Sequence, residues 1–165
     1  MFTTELLVPH SSRRLSSIDE CRPELQELHA LWSRLRGERR MPSRAEFDPA
    51  DARSLLRHLM LIDVLADAPT ERRFQVRLHG TAQVEYLGND WTGSFPHERT
   101  DQAAADRLCA VGDHIVASRD PWMSTGRIYF SPKRPLSDFE SILLPLSDDG
   151  DRVSMILGLT VFFRR

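Results

Sequence analysis

The sequence predicts an α+β domain. It has a five-stranded antiparallel sheet, helices inserted between the second and third strands, and an amphipathic helix ahead of the sheet. Three segments carry this reading. LHALWSRLRGERRMPSRAEFDPADARSLLRHLMLIDV, residues 28–64, reads as two helices separated by a Pro-bearing loop and followed by a strand. RFQVRLHGTAQVEYLGNDWTG, residues 73–93, reads as a strand, a short helix and a Gly-bounded turn, and ESILLPLSDDGDRVSMILGLTVFF, residues 140–163, reads as a hairpin.

The elements follow in order. Residues 1–18 carry Pro9 and a Ser/Arg stretch and are expected to be a loose arm, leaving 19–165 as a single domain. Pro23 suits a first helical turn, where its missing N–H costs nothing. Leu25, Leu28, Trp32 and Leu35 then recur at helical spacing to form one apolar stripe, and Gly37 stops the helix. Asp48 is a candidate N-cap for a second helix with Pro49 at its first position. Residues 60–65 read as a buried strand. Phe74, Val76 and Leu78 alternate with Gln75, Arg77 and His79, which is strand periodicity. Val84 and Leu87 belong to a short helix ending at Gly88, and 89–99 reads as irregular. From Asp101 the apolar positions Ala104, Leu108, Val111 and Ile115 fall on one helix face, with Pro121 as the terminator. Residues 122–130, 139–147 and 152–163 supply three more strands, the last two joined by a turn at Asp148–Asp151.

The last two strands are apolar on both faces. Val153, Met155, Leu157, Leu159 and Val161 point one way, and Ile156 and Phe162 the other. Such a sheet needs two covers. The central helices supply one. The first helix or a second subunit supplies the other, which makes Leu25, Leu28, Trp32 and Leu35 candidate interface residues of a homodimer.

The chain has 165 residues, of which 41% are hydrophobic and 28% charged, with a formal net charge of -2. This is the composition of a folded globular protein, and it gives no reason to expect a nucleic-acid partner. No apolar run reaches the ~18 residues of a membrane span. The first residues do not read as a secretory signal. The two cysteines, Cys21 and Cys109, read as reduced thiols of a cytoplasmic protein.

The ordered set Leu28-His29-xx-Trp32, Pro42-Ser43-Arg44, Asp48-Pro49, Leu55-Leu56-xx-Leu59, Arg77-xx-Gly80-Thr81, Gly88, Thr92-Gly93 and Leu144-Pro145-Leu146 resembles the PAS-like family of short, mostly alphaproteobacterial proteins, formerly grouped as a domain of unknown function. The resemblance spans residues 25–163. It implies a PAS-like fold with a sensory or regulatory role. It carries over no catalytic residue and no defined ligand.

In such a fold a ligand sits between sheet and helices, in a mainly apolar pocket with a few polar groups. Arg77, His79, Thr81, Tyr86, Trp91, Trp122 and Tyr129 are the candidates to line it. Strand alternation, however, puts Arg77 and His79 opposite Phe74, Val76 and Leu78, where they would be outer-face residues. Arg44 precedes a helix start and is either an anion contact or a tie to Asp48 or Asp51. Arg36, Arg39 and Arg40, with Arg34, form a basic cluster that is a solvated helix end or a docking site for an acidic partner. The six histidines show no metal-ligand spacing, so no metal is expected and no cofactor is assigned. Cys109 lacks the surroundings of a flavin-adduct cysteine. No nucleophile elbow, P-loop or dinucleotide fingerprint is present.

The expected function is therefore a non-catalytic sensory domain that binds a small molecule, a signalling partner, or both. An adaptor with a filled core is the alternative, and an enzyme on a PAS-like scaffold the remote one.

Overall fold

The computed structural model describes residues 12–128 and 137–164. Its strands are β1 (Arg13–Arg14), β2 (Leu59–Val64), β3 (Phe74–His79), β4 (Trp122–Ile128), β5 (Ser137–Leu146) and β6 (Met155–Phe163). They form one antiparallel sheet in the order β1-β4-β5-β6-β2-β3. Five are the expected strands. The sixth, β1, lies in the arm expected to be loose. It pairs Arg13 with Thr125 and Arg14 with Ser124, and Leu15 follows it into the core.

Helix α1 (Pro23–Arg36) starts without a side-chain cap of its own. Glu140 Oε1 on β5 accepts the Arg22 N–H instead, at 2.9 Å, so the sheet caps the helix. Gly37 ends it at φ +57°, the left-handed region that glycine enters without steric cost. Leu25 and Leu28 are fully buried, and Leu31 and Trp32 nearly so. The Trp32 indole N–H donates to the carbonyl of Pro145 at 2.9 Å. Each such side chain contributes on the order of 1.5–3 kcal/mol of burial. The helix contacts β5 and β6, covering the face that carries Ile142, Leu144, Leu157 and Leu159. The second cover for the sheet is thus the chain's own first helix. Leu25, Leu28 and Trp32 have no surface left for a second subunit, and Leu35 is only half-buried.

The segment Pro49–His58, expected as a helix, is 3₁₀ and broken at Ala52 (φ -119°, ψ 29°). Asp48 caps it as expected, accepting the Ala50 N–H at 2.9 Å. Helices α2 (Thr81–Leu87), α3 (Pro96–Arg99) and α4 (Gln102–Ser118) lie between β3 and β4. The four-residue α3 falls inside the stretch expected to be irregular. Asp101 caps α4 through the Ala104 N–H at 3.0 Å. The helix ends at Arg119 in the left-handed conformation (φ 58°), before Pro121 is reached.

Candidate functional site

Between the sheet and α2–α4 lies a cavity of about 330 Å³. Its sheet wall includes Met60, Ile62, Phe74 and Val76, and Leu108, Val111 and Gly112 of α4 form the opposite wall. A side chain at Gly112 would collide with the Phe74 ring, whose Cε atoms lie 2.8 Å from the position of a Cβ. The missing side chain lets α4 approach the sheet closely.

Among the sequence candidates, His79, Trp91 and Trp122 line this cavity. Strand alternation misplaces His79 because β3 carries a bulge. Leu61 opposes Leu78 and Ile62 opposes Val76, so Arg77 is the extra residue. The bulge resets the phase. Leu78 turns outward, 44% exposed, and the His79 side chain turns inward with 0% exposure. Arg77 stays outside, as alternation predicts, and donates through Nε to the Asp63 carboxylate at 2.9 Å.

Thr81 sits exposed at the start of α2 and does not reach the cavity. Tyr86 backs the wall: its ring stacks on Phe162 at 4.2 Å and its hydroxyl meets the Ser137 hydroxyl at 3.3 Å. Tyr129 lies outside the described residues.

His79 is the chemically distinctive group. Its Nδ1 accepts the backbone N–H of Trp91 at 3.1 Å, so the neutral ring carries its proton on Nε2. That Nε2 is buried beside the Gln83 side chain, which favours its protonated form but lies outside close hydrogen-bond geometry. Burial lowers the imidazole pKa, against smaller opposing effects of the Asp90 carboxylate and the Gln83 side chain. A buried donor so weakly paired is poorly satisfied, and an acceptor placed in the cavity would improve on it.

The basic cluster is internally committed. Arg39 forms a two-pronged pair with Glu46 at 2.6 and 2.7 Å, and Arg40 donates to the Ser118 carbonyl at 2.7 Å and to Asp120. Arg36 donates to the Arg39 carbonyl and lies over Trp32. Arg44 ties down its loop through the Phe47 carbonyl at 3.0 Å rather than through Asp48 or Asp51. These arginines staple the end of α1 to the next loop and to the end of α4.

Neither cysteine lines the cavity. Cys109 Sγ faces the Thr70 carbonyl, and burial, then Glu140 and Glu20, push the Cys21 thiol up to about 11. Among the described residues no group of three or more His, Cys, Asp or Glu side chains is arranged to hold a metal, and no helix is long and apolar enough to cross a membrane.

The sequence reading missed Gln83 and the hydroxyl side chains Ser124, Ser141 and Thr160, all on the cavity lining. Small polar residues at alternate positions within otherwise apolar strands are the signal that marks them.

An antiparallel sheet with its helical insertion folded over one face, and a cavity beneath that insertion, is the architecture of a PAS-type domain. The chain belongs to the PAS domain family, whose model matches residues 21–161. This is a family of sensory and regulatory domains, generally without catalytic activity. Among solved structures the chain is similar to an RNA-binding light-oxygen-voltage receptor at 13% identity and a TM-score of 0.53, covering 93% of this chain and 39% of that one. The chain thus spans well under half of that receptor's length. This likeness carries the fold alone. The LOV protein of Rhodobacter sphaeroides is similar at 17% identity and a TM-score of 0.46, covering 72% of this chain and 70% of that one. A PAS domain from Colwellia psychrerythraea is similar at 11% identity and a TM-score of 0.46, covering 70% of this chain and 98% of that one. No curated protein matches the sequence.

Proposed function

We propose that this chain is a sensory domain that takes a small, largely apolar ligand into the cavity and signals through a protein interface. The observation that supports a ligand over an adaptor with a filled core is His79. A buried N–H donor with only the Gln83 side chain near it lines a cavity of about 330 Å³. A filled core would leave neither. The volume lies at the lower end of the range for small-molecule sites.

Ser12, Arg13 and Arg14 also line the cavity, so this three-residue segment closes one side of it. A ligand touching this segment would bind the docked and released forms of the arm with different affinity, which is what a population shift requires. Since the apolar stripe of α1 is committed to the core, a partner or a second copy would use an exposed face of the domain instead.

Native mass spectrometry of the freshly purified full chain tests the reading. A mass excess that leaves on denaturation supports a retained ligand, and Leu108→Trp, which fills the cavity from α4, should abolish it. A bare chain mass, with no stabilisation by any member of a metabolite library, would favour the adaptor.

A further inference from the structure

The sheet wall of the cavity carries a polar row that its apolar surroundings do not require. Arg14 stands opposite Ser124, Ser124 opposite Ser141, and Ser141 opposite Thr160. Four polar side chains from β1, β4, β5 and β6 therefore stand in line, and all four residues line the cavity. The neighbouring row, Trp122, Leu143, Gly158 and Met60, is apolar.

Thr160 Oγ1 donates to Ser141 Oγ at 3.0 Å, and the Ser141 hydroxyl then has its own proton to give. At the end of the row the Arg14 guanidinium lies 4.2 Å over the Trp122 ring. It has no carboxylate partner among the described residues. The second donor, His79 Nε2, belongs to β3 at the other edge of the sheet. Five inter-strand steps separate β1 from β3. At about 4.8 Å per step this is up to roughly 24 Å along the sheet surface.

A guanidinium beside aligned hydroxyl donors suits a carboxylate, which accepts several hydrogen bonds on one negative charge. A phosphate dianion would call for more cationic contact than Arg14 supplies to this row. The apolar wall between the two polar ends demands an apolar body. We propose that the cavity takes an elongated apolar monocarboxylate. Its carboxylate lies at the Arg14 end of the Ser124–Ser141–Thr160 row, and its apolar body runs along the sheet toward His79. This rests on the ligand reading above. Both aliphatic and aryl-alkanoic acids share the required chemistry.

Calorimetric titration of the full chain tests the assignment, using decanoate and indole-3-propionate against neutral 1-decanol. At least one carboxylate should bind about tenfold or more tightly than decanol, as a charge-assisted contact requires. Arg14→Gln should remove that preference without affecting folding, since the side chain is exposed, and Thr160→Val should reduce it. The better of the chain and ring acids identifies the source. Decanol binding as tightly as the acids, or a preference that survives Arg14→Gln, would overturn the carboxylate assignment and leave the ligand reading standing. If no probe binds and the native mass is that of the bare chain, both fall.

Discussion

Gly80 joins β3 to α2, directly after His79. Its backbone, φ -61° and ψ 145°, is open to every residue, so conformational freedom does not explain the glycine. Contact does. A Cβ there would overlap the carbonyl oxygen of Arg57 and lie 2.6 Å from that of Leu59. Both are backbone atoms and cannot swing aside. The Gly80 N–H also donates to the Leu59 carbonyl at 2.8 Å, so opening the gap strains that bond too. Overpacking costs about 1–3 kcal/mol and a weakened backbone hydrogen bond about 1 more, giving about 2–4 kcal/mol for Gly80→Ala. For a domain of this size that is a fall in Tm of about 4–16 °C. Urea unfolding should show a lower midpoint at unchanged slope. A change within about 0.5 kcal/mol, or the stabilisation of about 0.4–1 kcal/mol that Gly→Ala gives at a relaxed site, would refute the steric argument.

Trp32→Phe keeps the apolar bulk but removes the donor to the Pro145 carbonyl, and should cost about 1–3 kcal/mol in urea unfolding. The hydrogen bonds from Arg39, with those from Ser43, hold the Glu46 carboxyl down at about 2. Its contribution is present above the ordinary carboxylate range and lost as pH falls toward 2, so carboxyl NMR should show this low midpoint and Arg39→Ala should raise it. The His79 imidazole titrates below its ordinary 6.5, so the unfolded chain takes up the proton first. Stability should therefore be full above that pH and decline as pH falls below it, a decline that His79→Phe should blunt.

The parts of the fold that could be read directly are those set by local pattern. The stripe Leu25–Leu28–Trp32 and the stop at Gly37 give α1, and the two-faced β5–β6 hairpin announces a sheet covered on both sides. What escaped reading is set by partners distant in sequence. The bulge at Arg77 exists because β2 pairs with β3 out of step, and β3 alone shows unbroken alternation. That single slip reversed the assignment of His79. The strand β1 has no side-chain period to read, since its place depends on the edge that β4 offers. The hydroxyl row becomes visible only when four strands are laid in register.

The two residues of β1 also change how the outer margin of the sheet meets other molecules. Without them, the outward N–H and C=O groups of β4 would stand open as a template for any extended chain. Arg13 and Arg14 occupy that margin, the Leu15 N–H bonds to the Met123 carbonyl at 2.8 Å, and the buried Leu15 side chain plugs the corner. So short a guard is displaced at the cost of a few hydrogen bonds and one leucine. The same margin that shields the folded domain from self-association is where a foreign strand could be exchanged in.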